Sequence, residues 1–138
     1  MSRSAVGFTA VVYGLESVLA EPLTAALVRS GTTVYQLSED SGPEQCATLA
    51  EHVAADVIFC GDETRGYRPV LDAVASRRRP PAVVVVGRLG DAERWLDALE
   101  AGAFDYCAPP LEADQLLWVL ESVRIRRPET ADGALRTA

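Results

Sequence analysis

Lysine is missing altogether from this chain: its thirteen positive side chains are all arginine, set against twenty carboxylates. Without an ε-ammonium there is no Schiff-base catalysis and no P-loop lysine. Nor is there an ammonium group to pair with a phosphate or an aspartyl phosphate. Histidine is reduced to His52, and the three cysteines, Cys46, Cys60 and Cys107, form no CxxC pair. So sparse a ligand set argues against a zinc site, and the odd count argues against a disulfide framework. His52 has no acid or nucleophile close to it in sequence and receives no role. No apolar run reaches the roughly 18 residues of a membrane span. The opening MSRSAVGFTAVVYGLES lacks the long apolar stretch and cleavage site of a secretory signal. The expectation is a cytoplasmic protein with no membrane contact. A formal net charge of −7 leaves no basic face for a phosphate backbone, so nucleic acid is not expected as a direct ligand.

What is present is alternation. The 138 residues are 49% apolar and 24% charged, the balance of a folded domain, and enough to bury about two thirds of the unfolded surface. Residues 8–13 (FTAVVY) form a short apolar run. Over 16–30, Leu19, Leu23, Ala26, Leu27 and Ser30 recur at helical spacing until Gly31 ends the pattern. Residues 32–37 are rich in β-formers. Ser41-Gly42-Pro43 then marks a turn into a helix to about residue 54. A third strand at 56–60 leads through the polar stretch 61–66 to a helix over about 68–78. Pro80-Pro81 precedes Ala82 and four valines, a strand buried on both faces as in parallel sheets. Asp91 caps a helix closed by Gly102, and a fifth strand at 104–108 precedes a last helix over 111–126. Strict alternation of this kind predicts a doubly wound (βα)5 α/β domain over 1–126, with a parallel sheet in order 2-1-3-4-5 and a crevice at the carboxyl ends of strands 1 and 3. Residues 127–138 lack periodicity and are expected to be a mobile tail.

Residues 99–110, LEAGAFDYCAPP, resemble the fourth-helix to fifth-strand region of response-regulator receiver domains, which reads L-x-x-G-A-x-D-Y-hydrophobic-x-K-P. Glu16 stands fifteen residues before Gly31, the family's spacing from its acidic cluster to the glycine after the first helix. Asp56-Val57-Ile58-Phe59 is similar to the family's third strand, and Pro81 with the valine run to its fourth. The resemblance covers about residues 8–126. It implies a flavodoxin-like receiver fold and a place in two-component phosphorelay signalling. In such domains an aspartate after strand 3 takes a phosphoryl group. A Mg²⁺ is held by that aspartate, an acidic residue after strand 1 and a backbone carbonyl. A Thr/Ser after strand 4 and a lysine after strand 5 contact the phosphoryl group.

The same resemblance shows what has changed. The acidic pair falls on Gly14 and Leu15, leaving only Glu16 acidic. The phosphoacceptor position is Gly61, the Thr/Ser position is Gly87, and the lysine position is Pro109. The expectation is therefore a degenerate receiver, not an enzyme, that binds neither metal nor cofactor and acts through protein contact. The alternative is a phosphoaccepting receiver that uses Asp62 with Glu16 as Mg²⁺ ligand and Arg88 or Arg65 against the phosphoryl group. In the first reading Asp62, Glu63 and Arg65 form only a solvated loop. A third, weaker reading is a flavodoxin-like binder of a small ligand, although the Gly14 turn has no G-x-G-x-x-G spacing.

Tyr106 falls where receivers place an aromatic that swings with phosphorylation; here it is read as a strand aromatic packing beside the last helix. On that helix Leu116, Leu117, Leu120 and Val123 make the buried face, whereas Trp118 and Ile125 lie off it. With Trp95 on the preceding helix they are nominated as a partner surface. A sensor kinase or an output protein is the expected partner, and a homodimer through the fourth helix, fifth strand and fifth helix is a second expectation. About a dozen residues follow the last helix, too few for an output domain, so output is expected to lie in a partner. Arg77-Arg78-Arg79 reads as favourable placement at a helix C-terminus.

Overall fold

Residues Ala82–Val86 are buried at every position, as four consecutive valines demand, and this strand lies inside a parallel sheet. The computed structural model describes residues 7–62, 64–88 and 92–126. Its strands are β1 (Thr9–Tyr13), β2 (Thr33–Leu37), β3 (Val57–Gly61), β4 (Ala82–Val86) and β5 (Asp105–Cys107). They alternate with α1 (Ser17–Arg29), α2 (Pro43–His52), α3 (Thr64–Ala75), α4 (Ala92–Ala101) and α5 (Ala113–Arg126). The order is β2-β1-β3-β4-β5 with every pairing parallel, as the alternation predicts.

Period-two side-chain geometry divides the core into two layers. Ala10, Val12, Val57, Phe59, Val84, Val86 and Cys107 pack with α1 and α5. Val11, Tyr13, Ile58, Cys60, Val83, Val85 and Tyr106 face α2, α3 and α4. Cys60 and Cys107 thus lie on opposite faces of the sheet, and Cys46, Cys60 and Cys107 are all free buried thiols. Burial pushes the Cys46 thiol up to about 12 and Cys60 still further. It also pushes Cys107 up to about 12, with the Asp105 charge as the lesser cause.

Three expectations change. The third helix starts at Thr64, not near Arg68. Pro69 sits inside this helix, where its ring removes one helical hydrogen bond. On α5 the buried face is Leu116, Val119, Leu120 and Val123, while Leu117 packs only at its margin. Arg77 lies beyond the end of α3 and clasps α2, donating to Glu51 at 2.7 Å, Glu44 at 3.3 Å and Thr48 at 3.3 Å. The expected Asp91 cap, Glu63, the side chain of Arg65 and the tail 127–138 lie outside the described residues.

Candidate functional site

A parallel sheet brings all its strand carboxyl ends to one edge. β1 runs into Gly14-Leu15-Glu16, β3 into Gly61-Asp62, β4 into Gly87-Arg88 and β5 into Ala108-Pro109. The registers Tyr13↔Cys60, Gly61↔Val86 and Val86↔Cys107 place these four connections side by side. The positions that the receiver resemblance aligns do converge, and the groups they carry are different ones.

Gly14 makes the first turn. Its φ of +66° is a left-handed conformation, its N–H donates to the Leu37 carbonyl at 3.0 Å, and a Cβ there would come within 3.2 Å of Glu39 Cβ. Gly61 is unlike it. A Cβ at Gly61 meets only Leu15 Cδ2, at an ordinary 3.9 Å. The acceptor position is therefore open to a side chain but faces an apolar one.

Glu16 is held by Arg88. The arginine donates Nε to Oε1 at 3.1 Å and Nη2 to Oε2, a two-pronged pair with both side chains largely exposed. Asp62 is not part of a solvated loop: its side chain is only 13% exposed. Oδ2 accepts the Tyr106 hydroxyl at 3.0 Å and Arg94 Nη1 at 2.9 Å. Gly87 makes this contact sterically allowed, because a Cβ there would overlap the Tyr106 hydroxyl oxygen and the Asp62 carboxylate, with Asp62 Cγ 2.9 Å away. Tyr106 is 8% exposed and points toward the α2–α3–α4 layer, not toward α5 as expected. Pro109 follows β5 and is joined to Pro110 by a cis peptide bond.

The Mg²⁺ implied by the resemblance does not fit these residues. A hard cation takes several oxygen ligands. Here the places for two of them hold Gly61 and Leu15, and the Glu16 carboxylate is bound by a guanidinium. Among the described residues no three His, Cys, Asp or Glu side chains come together as a metal-binding group.

On the outside of α5, Trp118 is 60% and Ile125 76% exposed. Trp118 borders a groove of about 670 Å³ shared by Asp105, Tyr106 and Cys107 of β5 with Asp114, Gln115 and Val119 of α5. Trp95 is exposed as well, but α4 covers the face of the sheet opposite to α5, so the two tryptophans flank β5 from different layers. Sequence reasoning missed Arg94 and the Asp62–Tyr106 contact. A clue was available: Gly87 continues the alternation of Val83 and Val85, the face on which Tyr106 lies.

No protein-family model matches the sequence, and neither does any curated protein. Solved structures do match. A response regulator receiver domain protein from Clostridium thermocellum superposes with TM-score 0.70 at 18% identity, over 89% of this chain and 98% of that one. A Francisella response regulator receiver domain gives 0.68 at 16% identity, over 87% and 98%. A chain of the CheX–CheY–BeF3–Mg²⁺ complex from Borrelia burgdorferi gives 0.67 at 16% identity, over 86% and 90%. The fold is that of response-regulator receiver domains, and at these identities the likeness is one of fold.

Proposed function

We propose that this chain is an atypical receiver domain of two-component signalling, one that acts by contact with other proteins and not by phosphorylation of an aspartate. The observation that carries this reading is the commitment of two crevice carboxylates: Glu16 to Arg88, and Asp62 to Tyr106 and Arg94. Phosphoryl transfer to a carboxylate needs an available nucleophile, a hard cation and a positive group on the product. Gly61, Gly14, Leu15, Gly87 and Pro109 supply none of these at the aligned positions. Membership of the receiver family is part of the proposal, supported by the shared fold and by residues 99–110.

No reaction is assigned to the domain. Its proposed partner is a sensor kinase or an output protein, met at the surface carrying Trp95, Trp118 and Ile125; self-association through α4, β5 and α5 is the second form such contact takes. Three buried free thiols suit a reducing compartment such as the cytoplasm. Among the described residues no helix is long and apolar enough to cross a membrane.

The test is intact-mass analysis after incubation with acetyl phosphate and Mg²⁺, for the wild type and for Asp62→Ala. Neither should gain a phosphoryl group. An adduct on the wild type that Asp62→Ala lacks would replace this reading with a phosphoaccepting receiver that uses Asp62 and takes Glu16 as metal ligand.

A further inference from the structure

Asp62 is the residue that the contact-only reading leaves without work, yet it is the most enclosed carboxylate at the crevice. Three independent features converge on it. The Tyr106 hydroxyl donates to Oδ2 at 3.0 Å, Arg94 donates to the same oxygen at 2.9 Å, and Gly87 lacks the side chain that would overlap both partners. Tyr106 also sits between Asp105 and Cys107, so one β5 residue borders both the crevice network and the groove against α5.

We infer that Asp62 is a positioning residue. Its carboxylate holds Tyr106 in a single buried position over Gly87 and thereby fixes the β5 wall of the Trp118 groove, with no phosphoryl group required. The inference rests on the proposed contact function and specifies how its surface is set. The glycine and the carboxylate act together. Glycine opens the space, the hydroxyl enters it, and the aspartate supplies the acceptor that a buried hydroxyl needs. Arg94 donates to the same oxygen and tethers the first turn of α4 to the end of β3.

Acetylation of tyrosines by N-acetylimidazole, mapped on tryptic peptides, tests this directly. No lysine competes for the reagent, and each tyrosine falls in its own arginine-bounded peptide. In the wild type Tyr35, the exposed tyrosine, should label while Tyr106 is spared. Asp62→Ala and Gly87→Ala should each raise Tyr106 labelling toward the Tyr35 rate. Asp62→Asn, which keeps an acceptor oxygen, should preserve protection. Tyr13 and Tyr67, both buried, report whether each variant remains folded. If Gly87→Ala loses the fold, the two Asp62 variants decide. Protection of Tyr106 retained in Asp62→Ala overturns the inference, as does protection lost equally in Asn and Ala with Tyr13 and Tyr67 unlabelled. For the groove, Trp118 emission in a Trp95→Phe background should shift with Asp62→Ala; unchanged emission would overturn the claim that Asp62 sets the groove wall. An acetyl-phosphate adduct would sink the contact-only reading and leave this labelling pattern of the resting chain untouched, so the two failures are separable.

Discussion

Three glycines at the strand ends show how little a residue type says until its geometry is known. Gly14, Gly61 and Gly87 fall, on the proposed reading, where the receiver pattern has functional side chains, and each stands in a different physical setting. Gly14 needs a left-handed φ and stands close to Glu39. Gly87 must stay bare for Tyr106 and Asp62. Gly61 is under neither constraint. Alanine at Gly14 should therefore cost about 1–2 kcal/mol from backbone strain, whereas alanine at Gly61 should stay within about 0.5 kcal/mol of wild type, the range of an unobstructed site. Urea unfolding of both variants checks the contrast; equal losses would contradict it. The sequence pattern located all three positions, because strand spacing is regular. It could not tell a forced glycine from a permitted one, since that depends on what the next loop brings within reach.

At the scale of elements, the strands were legible and the helix starts less so. Four valines or a TTVYQL run leave few alternatives to a strand, and alternation then assigns each side chain to a layer. The start of α3 at Thr64 was hidden because residues 61–66 read as a polar stretch, and the helix admits Pro69 by giving up one hydrogen bond. Val119 was missed because Leu117 is the more apolar-looking choice one column over. The layers also carry a pH signature. Cys46 on α2, Cys60 on β3 and Cys107 on β5 are held as neutral thiols well above their ordinary value of 9.0. An unfolded chain ionises near pH 9 while the folded one does not. Stability is thus full below about pH 9 and falls as pH rises toward 12, by up to about 1.4 kcal/mol per thiol per pH unit. Burial raises Tyr13 as well, which acts in the same direction. Urea midpoints under reducing conditions at neutral pH and above pH 10 measure it, and identical midpoints would contradict the burial of the thiols.

For the molecule as a whole, the missing lysine belongs to a larger exchange of charge. Arg88 takes Glu16 and Arg94 takes Asp62, so these two carboxylates are paired from within the chain. The resemblance in sequence implies that the acidic pair, the acceptor, the hydroxyl and the lysine are absent from their expected positions. It could not show that Asp62 turns inward to Tyr106, because that contact joins residues forty-four positions apart across a glycine just past the end of β4. The account's central claim is that this crevice offers no site to a phosphoryl group and its metal. Amide NMR of the folded chain, titrated with beryllofluoride and Mg²⁺, tests it most directly. The signals of Gly61, Asp62, Gly87 and Tyr106 should not move. Saturable, Mg²⁺-dependent shifts at those four residues, abolished by Asp62→Ala, would contradict it.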